Sequence, residues 1–347
     1  MTRPLLILDQ HFRRVDELFS AATLAGLKSL YRVEGGEDRP MEESVLERLL
    51  ESAEILIAAR PRVTKALLER APNLRAIIEV SGAFHGEVDY TACFERGIEV
   101  LSCSPGFRQS VAEMGLSMIL SGARGLIAVH EAFRRRDEAW LDDRQATDFT
   151  LYRQSVGFVG YGNIARELHR LMVPFSPKVS YFDPWVTDIE VAQKTESLEA
   201  LFANNRVVVI TAVPTSENRH AIGKTELDMM QQGALLVLLG RAHVVDFDAA
   251  LAAAKSGKIT FATDVFPAEP VPTNHEIRDC ENVVLSPHRA AAVPGGRQLI
   301  GEMILEDLKS ICARRAERML QPAKPETIAA LVAAQRSIEK DGRLPGT

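Results

Sequence analysis

Short apolar runs alternate with helix-forming segments along most of this 347-residue chain, and they fall into two series. The first series predicts short strands at residues 5–9, 54–59, 74–80 and 98–101, with helices at 43–50, 64–70 and 89–95. Strands that alternate with helices of this length indicate a parallel sheet with helices on its faces. The first hundred residues therefore predict an α/β unit.

A second series begins near residue 155 and has the spacing of a doubly wound sheet. Its six predicted strands lie at residues 156–160, 179–183, 207–211, 234–239, 260–265 and 283–285. A long helix from residue 111 to about residue 130 precedes them, and a last helix at 296–314 follows. The proline-containing stretch after Gln321 is predicted to form an appended tail. A chain of this length suits two domains of about 150 residues each.

Composition and charge narrow the classes of protein that fit. The chain is 46% hydrophobic and 25% charged, as ordinary globular proteins are, and its formal net charge is −6. Two acidic residues directly follow the basic run Arg134–Arg136, so we predict a solvated helix face and no nucleic-acid partner. No apolar run approaches the ~18 residues of a membrane span, and no signal peptide is recognisable. The four cysteines lack CxxC and metal-ligand spacing, which predicts reduced thiols, no metal and a cytoplasmic protein.

A glycine-rich turn joins the first strand of the second series to an amphipathic helix. Gly160, Gly162 and Ala165 form the pattern G-x-G-x-x-A, which is weak alone but here follows a strand and opens a helix. The first glycine allows the tight turn, the second lets a pyrophosphate approach the backbone, and the alanine permits close helix–sheet packing. The unpaired N–H groups of Asn163 and Ile164 then face the phosphates at the positive end of the helix dipole. The turn therefore predicts a dinucleotide site.

Asp183 ends the next predicted strand, at the distance from the turn where a carboxylate accepts the adenosine ribose hydroxyls. Such a carboxylate repels a 2′-phosphate, and residues 184–187 contain no Arg or Lys to bind one. These features predict NAD rather than NADP as the cofactor. The alternative is that Asp183 only caps the strand before Pro184.

Three side chains of complementary chemistry follow successive strands of the second series: Arg241, Glu269 and His288. Ligands bind at the carboxyl ends of the strands in open α/β sheets. A guanidinium suits a substrate carboxylate and carbonyl, an imidazole titrates near neutrality, and a carboxylate beside it fixes its tautomer. Taken singly, Arg241 could be a surface residue, Glu269 a loop acid and His288 a structural histidine. Together they predict a site for a 2-oxo acid.

These residues and their order resemble the D-isomer-specific 2-hydroxyacid dehydrogenases over roughly residues 50–315. The segments Val111-Ala112-Glu113 and Asp264-Val265-Phe266 also match. The resemblance implies two Rossmann-like or flavodoxin-like α/β domains with doubly wound parallel sheets. It implies a substrate-binding domain at residues 1–110 and 297–347, into which an NAD-binding domain at residues 111–296 is inserted. It also implies a homodimer, with catalysis in the interdomain cleft.

The resemblance assigns roles to residues of the second series. Arg241 would bind the substrate carboxylate and carbonyl. His288 would be the acid in reduction and the base in oxidation, and Glu269 would hydrogen-bond it and favour its protonated form. Asp264 would contact the nicotinamide carboxamide, and Thr215 would lie on the loop over the cofactor.

On the substrate side, the turn containing Gly82, Ala83 and Phe84 matches the family loop whose backbone N–H groups receive the carboxylate. The family loop is usually richer in glycine, and His243 stands where a glycine is usual. These departures leave the three catalytic positions intact, but they put the identity of the substrate in doubt.

The leading hypothesis is an NAD-dependent enzyme that interconverts a small 2-oxo acid and its R-2-hydroxy acid. Two alternatives stay open: a formate- or phosphite-type dehydrogenase on the same fold, and an NAD-sensing, corepressor-like binding protein. The substrate loop favours an acid that carries a side chain, and the absence of a basic patch argues against the sensor.

Overall fold

The computed structural model describes residues 3–141, 148–187 and 189–341, and it divides into two compact units. The first unit contains the chain up to Arg108 and Ala291–Ile338, and the second is built on Gln109–Ala290. The sequence placed these boundaries at 110/111 and 296/297. Residues 342–347 of the predicted substrate domain lie outside the described residues.

The N-terminal part of the first unit alternates strands and helices. Its strands are β1 (Leu5–Asp9), β2 (Arg32–Gly35), β3 (Ala53–Ala58), β4 (Ala76–Glu79) and β5 (Glu99–Ser102). Its helices are α1 (Val15–Leu18), α2 (Ala21–Leu30), α3 (Glu43–Leu50), α4 (Lys65–Glu69) and α5 (Tyr90–Glu95). The four predicted strands are confirmed to within two residues. The sequence missed β2 because that strand is largely solvent-accessible and has no apolar run.

The second unit repeats the alternation over a longer sheet. Its strands are β6 (Ser155–Val159), β7 (Lys178–Phe182), β8 (Gln193–Lys194), β9 (Val207–Ile210), β10 (Ala234–Leu238), β11 (Ile259–Thr263) and β12 (Val283–Leu285). Its helices are α6 (Arg108–Ala123), α7 (Leu126–Arg135), α8 (Asn163–Met172), α9 (Leu198–Asn204), α10 (Lys224–Met229) and α11 (Phe247–Lys255). All six predicted strands are confirmed.

The last part of the chain consists of α12 (Gln298–Cys312), β13 (Gln321–Pro322) and α13 (Ile328–Asp341), and it belongs to the first unit as far as Ile338. The appended tail predicted after Gln321 is wrong for this stretch. Ile328 and Val332, one helical turn apart on α13, are buried in the core of the first unit. Arg336 also donates from Nη2 to the carbonyl of Gly86 at 2.7 Å, which ties the helix to a loop of that unit.

The sheet topology brings particular loops together within each unit. The first sheet has the order β13-β5-β4-β3-β1-β2, and only β13 is antiparallel to its neighbour. The second has the order β12-β11-β10-β9-β6-β7-β8 and is parallel throughout. Loops that leave the carboxyl ends of adjacent parallel strands therefore share one edge. These are the loops after β1, β3 and β4 in the first unit, and after β10, β11 and β12 in the second.

The long helix predicted from residue 111 is in fact two helices, α6 and α7. Gly125 separates them with φ +54°, a left-handed conformation that glycine adopts without strain. On α6, a Cβ at Gly115 would lie 2.6 Å from Leu239 Cδ1, and one at Gly122 would lie 2.7 Å from Leu235 Cδ1. These glycines therefore permit close packing of α6 along β10, from Leu235 near its start to Leu239 just after its end.

Within the described residues, no single helix is long and apolar enough to cross a membrane. In that part of the chain, one pair of helices, Ser104–Ala123 and Leu126–Arg135, has such a length and composition when taken together, and it is bent by 61°.

Candidate active site

The glycine-rich turn lies between β6 and α8, as the sequence predicts. Gly160 has φ +82°, and a Cβ there would lie 2.5 Å from the Cα of Ala212, so only glycine fits. Gly162 is the N-cap of α8, and a Cβ added to it would meet nothing within 4 Å. The first helical bond is donated by the N–H of Arg166 to the carbonyl of Gly162, so the N–H groups of Asn163 and Ile164 precede the helical ladder. The turn thus has open space beside Gly162 and N–H groups outside the helical ladder, where a pyrophosphate would bind.

Asp183 follows β7 and is buried, with both carboxylate oxygens engaged. One accepts the N–H of Tyr161 in the glycine turn at 2.8 Å, and the other accepts those of Trp185 and Val186 at 2.8 and 3.1 Å. The aspartate therefore holds the turn against the end of the next strand. Its contact with ribose hydroxyls stays a prediction, as does NAD binding by the individual residues of the turn.

Thr215 lies on a loop that a histidine secures. Its N–H donates to Asn218 Oδ1 at 2.8 Å, and its carbonyl lies 3.0 Å from His243 Nε2. The N–H of His220 donates to the carbonyl of His243 at 2.9 Å. His243, a departure from the family pattern, thus fixes the conformation of the loop that the sequence assigned to the cofactor.

Glu269 and His288 form a hydrogen-bonded pair. Glu269 Oε2 lies 2.6 Å from His288 Nδ1, and Oε1 accepts the N–H of Phe266 at 2.9 Å, which fixes the carboxylate. The glutamate side chain is 9% exposed and that of the histidine is 29% exposed. His288 Nε2 has no hydrogen-bond partner among the described residues. An imidazole held at one nitrogen and free at the other is arranged for proton transfer.

The loop that carries His288 is held in an unusual conformation. His288 has φ +50°, which side chains other than glycine rarely adopt and which clusters at functional sites. Buried Asp264 holds the loop: its carboxylate accepts Ser286 Oγ at 2.5 Å and the N–H groups of Arg289 and Ala290 at 2.9 and 3.0 Å. Its carbonyl accepts the N–H of His288 at 2.8 Å. The sequence had not predicted this role, and the contact of Asp264 with nicotinamide stays a prediction.

Arg241 follows β10 at the same edge and is half-buried. Its Nη1 donates to the carbonyl of Gly240 at 3.0 Å. Burial lowers the pKa of Arg241, while the nearby carboxylates of Glu269 and Asp264 oppose that shift. The second unit therefore brings Arg241, Glu269 and His288 together, because each lies on a loop that follows one of three adjacent strands.

In the first unit, the backbone N–H groups of the predicted substrate loop are already hydrogen-bonded within the protein. Glu79, the last residue of β4, is 1% exposed and accepts the N–H groups of Ser81, Gly82 and Ala83, the last two at 2.9 Å. The donors expected to receive a substrate carboxylate thus already bind a carboxylate of the protein. The side chain of Phe84 is buried in the core and packs edge-on against Tyr90, so it does not line an open pocket.

With this geometry in hand, comparison with known proteins decides the family. Residues 116–290 match the model described as "D-isomer specific 2-hydroxyacid dehydrogenase, NAD binding domain". The chain belongs to the D-isomer-specific 2-hydroxyacid dehydrogenases. These are NAD-dependent enzymes, and the turn after β6 fits that cofactor.

Individual relatives cover most of the chain. The structure of a phosphoglycerate oxidoreductase from Rhizobium etli has a TM-score of 0.83 and 31% identity, over 94% of this chain and 100% of that one. A glyoxylate reductase from Thermofilum pendens is 29% identical over 78% of this chain and 82% of its own length. D-3-phosphoglycerate dehydrogenase from Methanocaldococcus jannaschii is 25% identical over 78% of this chain, and the match spans about half of that relative, 52%.

Proposed function

We propose that the chain interconverts a small 2-oxo acid and its R-2-hydroxy acid, with NAD as the redox partner. The observation that carries the proposal is the 2.6 Å contact between Glu269 Oε2 and His288 Nδ1. It supports a general acid–base role for His288 because the contact leaves Nε2 as the only nitrogen that can exchange a proton with a substrate.

Each of the three residues has its own role in the reduction of the 2-oxo acid. Arg241 binds the carboxylate and polarises the carbonyl, for which its planar, always charged guanidinium is suited. His288 donates a proton from Nε2 to the carbonyl oxygen, and Glu269 stabilises the imidazolium and keeps the ring oriented. NADH, when bound, would supply the hydride for this reduction. In oxidation, His288 would accept the hydroxyl proton at Nε2.

The residues that hold NAD are those of the glycine turn and its neighbours. Gly160 and Gly162 leave room for the pyrophosphate, and Asn163 and Ile164 offer N–H groups at the start of α8. Asp183 would receive the ribose hydroxyls with its remaining lone pair. Thr215 and Asp264 complete the site that we assign to the nicotinamide half.

We also infer a homodimer, which α7 supports. None of the residues of this helix is buried, although Leu126, Ile127, Val129 and Phe133 are large and apolar. A stripe of this kind marks an interaction surface, and closed twofold dimers are the commonest assemblies. In light scattering, Phe133→Glu should give a monomer. Val191→Glu, at another exposed apolar residue of the same unit, should leave the dimer intact.

The test of the function is oxidation of NADH at 340 nm with a panel of 2-oxo acids, from glyoxylate to phenylpyruvate. His288→Asn should reduce kcat/KM by about 10²-fold or more with little change in NADH affinity. His220→Asn is the matched control, because this exposed histidine has the same φ of +50° and asparagine tolerates that conformation. Turnover that survives in His288→Asn, or no turnover of any acid despite NADH binding, would refute the proposal.

A further inference from the structure

A cavity rich in arginine lies at the edge of the first sheet that the amino ends of β4 and β5 form. Its volume is about 380 Å³, within the range of about 300–1,000 Å³ that is typical of small-molecule sites. It is lined by Arg75, Glu99, Ile311, Arg314, Arg315, Ala316 and Arg318. All seven residues belong to the first unit, so the cavity is contained within that unit.

The cavity and the predicted substrate loop lie at opposite ends of the same strand. Arg75 directly precedes β4, and Glu99 is the first residue of β5, the parallel neighbour of β4. The predicted substrate loop follows the other end of β4, after Glu79. Four strand residues span about 13 Å. A ligand in the cavity is therefore not the 2-oxo acid that this loop is predicted to bind.

Arg318 compensates the carboxylate that lines the cavity. Its Nε donates to Glu99 Oε2 at 2.7 Å and its Nη2 to Glu99 Oε1 at 2.5 Å, which makes a bidentate pair. Its Nη1 donates to the carbonyls of Arg315 and Glu317, both at 2.7 Å. The Arg318 side chain is 8% exposed. This buried arginine therefore neutralises Glu99 and fixes the backbone of Arg315.

Arg75 joins the start of β4 to the end of α12 and still has a donor to offer. Its Nη2 donates to the carbonyl of Ile311 at 2.6 Å, and its Nη1 lies 3.5 Å from Glu54 Oε2. Its Nε makes no hydrogen bond among the described residues. The guanidinium group is thus held in place while one of its N–H groups stays available to a ligand.

The other two arginines of the cavity are unpaired. Among the described residues, Arg314 and Arg315 have no carboxylate within 4 Å and no side-chain hydrogen bond. Glu99 and Glu54 compensate two of the four arginines, so two positive charges remain. Ala316 also lines the cavity, and its N–H has no partner in the same part of the chain. Guanidinium groups and unpaired backbone N–H groups are the donors that bind phosphate oxygens.

The turn after α12 holds Arg314 in a conformation that favours glycine. The N–H of Arg314 donates to the carbonyl of Ile311 at 3.1 Å, and that of Arg315 to Ser310 at 2.9 Å, as in a Schellman helix end. Glycine is usual at the first of these positions because φ is positive there, and φ of Arg314 is +54°. The chain thus keeps an arginine beside the cavity at a cost in stability.

We propose that this cavity, through Arg75, Arg314 and Arg315, binds the phosphate group of a small phosphate monoester. Such a group carries a charge of about −1.5 to −2 at neutral pH, which matches the two uncompensated cations, whereas a monocarboxylate matches only one. The volume leaves room for the molecule that carries the phosphate. The site goes beyond the proposed function and does not rest on it.

Isothermal titration at constant ionic strength measures this binding without catalysis. The protein is first saturated with NADH, so that the glycine-rich turn is not a second phosphate site. Glycerol 3-phosphate and AMP are the probes, with inorganic phosphate and glycerol as references. At least one ester should bind more tightly than inorganic phosphate, and glycerol should not bind. The tighter ester identifies the carrier as a polyol or a nucleoside. If neither ester binds, the proposal is wrong.

Two variants locate the bound ester. Arg314→Gly removes the guanidinium group and relieves the positive φ, so the Kd should rise by about tenfold while the Tm rises as well. Arg315→Gln should also raise the Kd by about tenfold. Arg39→Gln is the matched control, because this exposed arginine of the same unit pairs with Glu37 at 2.7 Å, and it should keep the wild-type Kd. Unchanged affinity in Arg314→Gly and Arg315→Gln, or an equal loss in Arg39→Gln, would overturn the site.

Discussion

The carboxyl edges of the two sheets are built in opposite ways. In the second unit, Glu269 is hydrogen-bonded to His288, and buried Asp264 holds the loop on which that histidine lies. In the first unit, the buried carboxylate of Glu79 binds N–H groups of the predicted substrate loop, and Arg13 Nε and Arg60 Nε have no acceptor among the described residues. At the edge of the second unit a carboxylate holds a titratable side chain, whereas at that of the first unit a carboxylate holds the backbone N–H groups of a loop. The comparison indicates that the edge of the second unit is arranged for proton transfer, whereas the carboxylate at the edge of the first unit stabilises a loop.

The largest expected effect in the second unit is that of Glu269→Gln. An amide at this position stabilises an imidazolium less well, so kcat should fall by about 10²-fold while NADH affinity is unchanged. Steady-state kinetics and NADH fluorescence titration measure the two quantities. Glu276→Gln is the matched control, since this glutamate is paired with Lys255 at the surface, 2.6 Å away. Equal kcat values for the two variants would remove the catalytic contrast between the edges.

In the first unit, the carboxylate of Glu79 should contribute to the stability of the fold rather than to catalysis. Glu79→Gln replaces an acceptor of three backbone N–H groups by an amide that can satisfy only part of them. The free energy of unfolding should fall by about 2–3 kcal/mol, as measured by urea denaturation. Glu87→Gln breaks only an exposed ion pair with Arg62 and should change it by less than about 1 kcal/mol. A Glu79→Gln protein as stable as the wild type would show that the loop is not held by this carboxylate.

Gly162→Ala should weaken cofactor binding and leave folding intact. Its Cβ would enter open space at the start of α8, so NADH affinity should fall by about tenfold, equivalent to ~1.4 kcal/mol. Gly160→Ala should instead lower stability, because its Cβ meets the backbone of Ala212 and its φ is positive. Isothermal titration and thermal unfolding separate the two. If Gly162→Ala binds NADH as tightly as the wild type, the turn is not where the pyrophosphate lies.

The smallest effect should be that of Phe84→Leu. Since its side chain lies in the core beside Tyr90, the change should cost less than about 1.5 kcal/mol of stability and leave KM for the 2-oxo acid within about twofold. Urea denaturation and steady-state kinetics measure both. A large rise in KM at unchanged stability would instead return Phe84 to the substrate site.

The sequence predicted the second edge far better than the first. Arg241, Glu269 and His288 could be found because each lies within six residues of the end of an apolar strand, so linear order reports spatial proximity in a parallel sheet. The sequence predicted part of the role of Asp264. The motif marks the residue, but its hydrogen bonds reach residues 286–290, more than twenty positions away.

The first edge depends on contacts between residues far apart in the chain. Glu79 did leave a signal, since a glutamate that ends a buried apolar strand must find donors, but the sequence does not show which ones. Arg297 pairs with Glu17 across 280 positions, and no local pattern predicts that pair or the isolation of Arg13 and Arg60. The sequence analysis missed α13 because the nearby prolines suggested an appended tail, so the apolar face of this helix was not recognised.

The most direct test of the central claim follows the hydride and the proton together. NADH deuterated at both C4 positions, incubated with the preferred 2-oxo acid, should give a 2-hydroxy acid of R configuration with one deuterium at C2. His288→Asn should abolish this product within the assay time, whereas His220→Asn should form it at the rate of the wild type. A product without deuterium at C2, a product of S configuration, or unchanged formation in His288→Asn would contradict the account.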